Sequence, residues 1–124
     1  MPIPVAIAVA GALGALVRYW LDGVVSRRTG GGFPWGTFAV NVTGSFLLGL
    51  VFTLLTQRYR VDPWLRSGLT IGFLGAYTTF STLSLETYRL FEDGAAGLAA
   101  LNAVGSLAAG LAALYVGVVL GRVV

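Results

Sequence analysis

Four stretches of this chain are apolar over the length that a bilayer demands. A transmembrane helix needs about 20 predominantly apolar residues. Such runs extend from about Ile3 to Val25, Trp35 to Leu55, Leu65 to Leu90 and Gly97 to Leu120. Only 10% of the 124 residues are charged, against about 25% in a soluble domain. The mean hydropathy is +0.84, so most of the surface must face lipid or other helices. The predicted fold class is all-α: an integral membrane protein of four transmembrane helices, forming a single domain over residues 1–124.

The connections between the runs are short and polar. Ser26 to Gly32 combines arginine with glycine, Gln57 to Pro63 contains a turn-forming Asp-Pro, and Glu92-Asp93-Gly94 is acidic and tight. Trp20, Trp35, Tyr59, Trp64 and Tyr88 fall near the predicted span ends, where an interfacial aromatic belt belongs. The start, Met1-Pro2-Ile3-Pro4, lacks the positive n-region of a secretory signal. Cysteine and histidine are absent, which removes thiolate nucleophiles, disulfides, zinc sites and the usual general base. An enzyme is not expected. The net charge of +3 comes from arginines scattered between apolar runs, so nucleic acid is not an expected partner either.

Four spans place both termini and the middle loop on one side. That side carries Arg58, Arg60, Arg66 and Arg122; the other carries Arg27, Arg28 and Arg89, with Arg18 close to it. Orientation follows the arginine and lysine bias of short loops, and here the bias is close to zero. One reading is that the chain inserts both ways and pairs as an antiparallel dimer. The other is a fixed topology set by finer features.

Several residues do not belong in lipid. Thr37, Asn41 and Ser45 are four apart and share a helix face, which must meet a partner helix or water. The third run, from Gly72 to Glu86, is stranger. Glycine, threonine and serine weaken its helix, and a break is expected near Gly75 to Thr79. Irregular backbone at membrane depth survives only where it is buried in protein or lines a cavity, and freed carbonyls there can coordinate cations. Phe80 and Leu83 are three apart, as are Thr78, Ser81 and Ser84. A phenyl ring has a positive edge and hydroxyls are donors. Together they offer an anion a weakly positive track; a polar packing seam is the plainer reading. Glu86 either acts within the membrane or reaches the interface, pairing with Arg89. Arg18 either pairs with Asp22 or gives a vestibule a positive potential. Gly11…Ala15, Gly68…Gly72 and Gly117…Gly121 read as small-residue helix contacts. Asn102 and Ser106 share a face of the fourth run that needs a partner, which favours an oligomer.

Three motifs carry a resemblance. They are Gly11-Ala12-Leu13-Gly14-Ala15-Leu16-Val17-Arg18-Tyr19, then Gly36-Thr37-Phe38-Ala39-Val40-Asn41-Val42-Thr43-Gly44-Ser45-Phe46-Leu47-Leu48-Gly49, and Gly72-Phe73-Leu74-Gly75-Ala76-Tyr77-Thr78-Thr79-Phe80-Ser81-Thr82. In that order they resemble the Fluc fluoride channels, the CrcB family. The resemblance implies a dual-topology antiparallel homodimer in the inner or plasma membrane, with two pores at the subunit interface and the lipid bilayer as its surroundings. It implies passive efflux of fluoride, and a structural sodium ion on the two-fold axis held by the carbonyls of Gly75 and Thr78. It assigns the pore asparagine to Asn41 and the phenylalanine pair to Phe80 and position 83. The hydroxyl track falls on Ser81, Thr82 and Ser84, with Thr37 near one end, Glu86 close by, and Ser106 from the fourth span. The family typically has phenylalanine where this chain has Leu83, a residue without a positive ring edge; conduction is expected if that position mainly shapes the pore. Two other readings stand beside it. A small proton-coupled multidrug exporter needs a carboxylate in the middle of the first span, whereas Asp22 lies near its end. A non-transporting assembly subunit would use the polar seams for packing alone.

Overall fold

A computed structural model describes residues 1–124, which are helical with no strand. Helix α1 spans Ile3–Thr29, α2 spans Trp35–Arg58, α3 covers residues 63–77, α4 spans Phe80–Glu92 and α5 spans Ala96–Val123. Helices α1, α2 and α5 are each long and apolar enough to cross a membrane. The run expected as a third span is divided into α3 and α4, with Thr78 and Thr79 between them in extended conformation. The helix persists through Gly75, Ala76 and Tyr77, so the interruption lies in the second half of the expected Gly75–Thr79 segment.

The helix ends follow from their sequences. Proline opens α3 at Pro63, where a missing N–H goes unnoticed and its fixed φ suits the first turn. Arg27 and Arg28 occupy the last turn of α1, favourably placed at the negative end of the helix dipole. The chain then leaves α1 through Gly30 at φ 77°, a left-handed conformation that glycine adopts without penalty. Three wider turns, bonded i to i+5, lie within the longer helices at Leu54–Arg58, Gly68–Leu74 and Leu101–Gly105. Such turns rotate the following side chains relative to a regular helix and often mark functional positions.

Only 17 of the 124 residues are buried, so the single chain presents most of its apolar surface outward. Between helices in lipid there is no hydrophobic drive, and close van der Waals contact at small residues takes its place. Two tight pairs result. In the first, α1 lies against α3: a Cβ on Gly14 would land on the Phe73 carbonyl, and one on Gly72 would sit 2.8 Å from the Ile7 carbonyl oxygen. In the second, α2 lies against α5: a Cβ on Gly49 would strike the Leu114 carbonyl, one on Gly117 the Phe46 carbonyl, and one on Gly121 the Thr53 side chain. Both Gly68…Gly72 and Gly117…Gly121 are thus at helix contacts; in the first motif the tight approach is made by Gly14 rather than Gly11. Helix α4 packs on the first turns of α5. A small core of Val40, Leu74 and Tyr77, flanked by Leu21, Leu48, Val51 and Phe73, ties the first pair to the second.

This packing makes Gly117→Val a sensitive substitution. It should lower stability by about 1–3 kcal/mol, as overpacking against fixed backbone does. Gly97→Ala, at a position with no neighbouring atom within 4 Å, should change stability by no more than about 0.5 kcal/mol. Thermal unfolding in detergent, followed by circular dichroism, checks both.

Candidate functional site

The interruption between α3 and α4 is held by side chains rather than left loose. Thr78 has φ −84° and ψ 158°, Thr79 φ −149° and ψ 118°. The Asn41 side chain, from the middle of α2, pairs with the Thr79 backbone in both directions. Asn41 Nδ2 donates to the Thr79 carbonyl at 3.0 Å, and the Thr79 N–H donates to Asn41 Oδ1 at 2.8 Å. A free buried amide or carbonyl would cost about 1–3 kcal/mol, and one asparagine satisfies both. Thr79 is also the N-cap of α4: its Oγ1 accepts from the Thr82 N–H at 3.2 Å, the preferred geometry for threonine at that position. The carbonyls from Gly75 to Thr78 lose their ordinary helical donors, and at two of them a side chain has taken the donor. The Thr79 N–H that would serve Gly75 goes to Asn41, and the Thr82 N–H that would serve Thr78 goes to the Thr79 hydroxyl.

The rest of that segment of α2 also fits the interruption. Gly44 leaves the space that the Thr78 methyl and the Tyr77 ring occupy. The Thr43 hydroxyl donates to the Ala39 carbonyl at 2.7 Å, so the Tyr77 hydroxyl, 2.8 Å away, donates to it. Tyr77 stacks on Phe73 with ring centroids 6.1 Å apart. Arg18 reaches over from α1 and its Nε donates to the Ala76 carbonyl at 3.2 Å. Arg18 thus caps the end of α3, while Asp22 accepts from Ser26 instead.

A cavity of about 950 Å³ opens beside the interruption. Six of the residues that the family resemblance assigns to the pore or the cation site line it: Asn41, Thr78, Phe80, Leu83, Ser84 and Ser106. Along α4 the lining follows one helical face, Phe80, Leu83, Ser84, Thr87, Tyr88 and Phe91. Ser81 and Thr82 point elsewhere, so the expected hydroxyl track is divided between two faces. Ser81 is exposed and lies 3.5 Å from the Thr79 hydroxyl, which donates to Thr82 Oγ1 at 3.1 Å. The even spacing of Thr78, Ser81 and Ser84 also fails, because Thr78 stands outside the helix. Phe80 is 82% exposed in the single chain, and Gly75 is exposed as well. Thr37 is buried on α2 and faces the Glu86 carboxyl, with Asp22 and Arg89 as its charged neighbours. Glu86 Oε1 is buried without a hydrogen-bond partner. Thr37, Glu86 and Arg18 are therefore outside the cavity lining.

The sequence pattern does not reveal Thr87 as a site residue, although its spacing from Phe80 and Ser84 carries the signal. Thr87 donates to the Leu83 carbonyl at 2.8 Å and accepts from Asn102 Nδ2 at 2.9 Å; Asn102 Oδ1 in turn accepts from Ser106 at 3.4 Å. Asn102 is wholly buried, turned inward by the wide turn at Leu101–Gly105. The Asn102–Ser106 pair thus finds its partner within the same chain, which removes it as a reason to expect an oligomer. Thr87→Val should cost about 1–3 kcal/mol by stranding a buried amide, whereas Thr87→Ser should keep the bond. Chemical unfolding of the two purified variants distinguishes these outcomes.

Comparison with known proteins agrees with this geometry. Residues 5–118 match the family model described as CrcB-like protein, Camphor Resistance (CrcB). A protein of Geobacter metallireducens named fluoride-specific ion channel FluC is 50% identical over 118 residues, covering 95% of each chain. Proteins of the same name from Geobacter sp. strain M21 and Magnetococcus marinus are 48% and 47% identical, over 94% of each chain and over 95% and 96% of the two chains respectively. With its helix interruption and its paired asparagine lying inside the matched region, this chain belongs to the CrcB family.

Proposed function

We propose that this protein is a fluoride channel, not an enzyme, through which the anion leaves the cell passively. The observation that carries the reading is the near-half identity, over almost the whole chain, to proteins named fluoride-specific ion channels. The cavity chemistry supports it. Asn41 uses one amide hydrogen on Thr79 and retains a second. Phe80 supplies a ring edge. Neither carries a full charge, so an anion can exchange water for these groups and still leave. Ser84 and Ser106 extend the path along the cavity; Ser81, Thr82 and Glu86 continue it on the other face of α4, with Thr37 of α2 against Glu86, and Arg18 contributes positive potential at its approach.

The working unit is an antiparallel dual-topology homodimer, multi-pass in the inner or plasma membrane, with α3 and α4 together forming a fourth span. Exposed Phe80, Ser81 and Gly75 beside extended backbone support this, because lipid cannot cover such a surface and a second copy can. The balanced arginines of the two sides support insertion in both orientations. The exposed carbonyl site fits a structural sodium ion. Carbonyl oxygens are hard donors suited to a hard cation, and at Gly75 and Thr78 side chains have taken the N–H groups that would serve those carbonyls in a helix. When bound, the cation would neutralise those carbonyl dipoles where two copies meet.

Flux from liposomes, read with a fluoride electrode, tests the channel. The protein should release fluoride without proton coupling. Asn41→Asp should reduce the flux about a thousandfold, since two like charges about 4 Å apart repel by about 4 kcal/mol near a protein surface. Phe80→Ile should slow it. Unchanged flux in both variants removes this pore assignment, and no flux from the parent protein removes the channel. In cells, a tag on the C-terminus should be reachable from both sides of the membrane; labelling from one side alone contradicts dual topology.

A further inference from the structure

We infer that Asn41 and Thr79 are positioning residues for the cation site, and that they act by withholding two N–H groups from the carbonyls that would hold the ion. The inference rests on the sodium site of the preceding reading. In an uninterrupted helix the Gly75 carbonyl would accept from the Thr79 N–H and the Thr78 carbonyl from the Thr82 N–H. Here each donor has been captured by a side chain: Thr79 N–H by Asn41 Oδ1 at 2.8 Å, and Thr82 N–H by Thr79 Oγ1 at 3.2 Å. Neither acceptor touches the carbonyl it liberates. Their effect is to keep the helix from healing, and so to keep both oxygens available. Asn41 also lines the anion cavity, so one side chain serves the anion path with its amide and the cation site with its carbonyl. Residues that orient the groups bonded to a metal have measurable effects on its affinity.

The two halves of the Asn41 amide make separable claims. Asn41→Asp keeps an acceptor for the Thr79 N–H and loses only the donor to the Thr79 carbonyl. Asn41→Ala loses both and returns the Thr79 N–H to Gly75. Thr79→Ser keeps the cap that diverts the Thr82 N–H, and Thr79→Ala removes it. The experiment uses the full chain in detergent, without fluoride. The thermal midpoint is followed by tryptophan fluorescence as sodium replaces N-methylglucamine at constant ionic strength. Ligand that binds only the folded state raises the midpoint as the logarithm of one plus its concentration over the dissociation constant, so the rise sets in near that constant. The parent protein and Thr79→Ser should respond over one range of sodium concentration, and Asn41→Asp, whose added negative charge favours a cation, at no higher concentration. Asn41→Ala and Thr79→Ala should need about tenfold more sodium or more for the same rise in midpoint.

A residue that merely supports the fold would lower the midpoint at every sodium concentration and leave the concentration at which the rise sets in unchanged. That outcome in both alanine variants overturns the inference while the sodium site stands. A parent protein whose midpoint ignores sodium overturns the sodium site itself, and the inference with it. Should Asn41→Ala fail to fold, the Thr79→Ala and Thr79→Ser pair still decides, because the Thr78 carbonyl depends on the cap alone.

Discussion

The fold turns on one reciprocal contact, the Asn41 amide against the Thr79 backbone. Two extended residues in the middle of a membrane-embedded helix would ordinarily leave a donor and an acceptor without water, and hydrocarbon provides no substitute. Asparagine is the residue for this task because its side chain repeats the peptide group, one donor and one acceptor at the right separation. Its position in α2 then constrains the neighbours. Thr43 must present a hydroxyl to Tyr77, and Gly44 must stay small so that the Tyr77 ring and Thr78 methyl can approach. The short sequence Asn41-Val42-Thr43-Gly44 is therefore a single mould for the interruption, and α2 has to run continuous beside it.

The interruption also lies where the packing changes partners. Helix α3 belongs to α1 through Gly14 and Gly72, whereas α4 belongs to the base of α5 through Asn102 and Thr87. An unbroken helix would have to satisfy both neighbours along one axis. Two extended residues let each half take its own direction, and the Thr79 cap restarts the helix at once. The wide turn at Leu101–Gly105 does the matching work in α5, turning Asn102 fully inward to meet Thr87.

Hydropathy made the apolar runs legible in the sequence, and glycine and hydroxyl content made the weak point in the third legible. Its position was harder to read. Gly75 has the lowest helix propensity in the segment, yet it remains helical; the interruption sits at two threonines because Asn41 and the N-cap stabilise it there. Propensity counts local cost, and this outcome was decided by a residue 38 positions away. The facing of α4 was half legible. Three-residue spacing joined Phe80 to Leu83 correctly but wrongly extended to Thr78, which lies beyond the helix. Arg18 and Asp22 looked like a pair at i, i+4, but Arg18 reaches across to a carbonyl left bare at the end of α3, and Asp22 accepts from Ser26. The wide turns left no recognisable mark on the sequence at all.

The hydroxyls of the cavity have a further consequence for conduction. Thr78 donates to the Leu74 carbonyl, Ser84 to the Phe80 carbonyl and Thr87 to the Leu83 carbonyl, so at rest their hydrogens point into the chain. Each can swing toward an anion only by giving up a local bond worth about 1 kcal/mol. On the channel reading, that exchange keeps binding at every hydroxyl shallow, as rapid passage requires. Donors with no internal partner, the second Asn41 hydrogen and the Phe80 edge, then form the deeper steps. Leu83 stands beside them without a ring edge of its own, while its carbonyl is held by Thr87. Its side chain is apolar, so on the same reading it would narrow the path rather than bind in it. The electropositive demand accordingly concentrates on Asn41 and Phe80, and a second copy of the chain would bring another pair of the same groups.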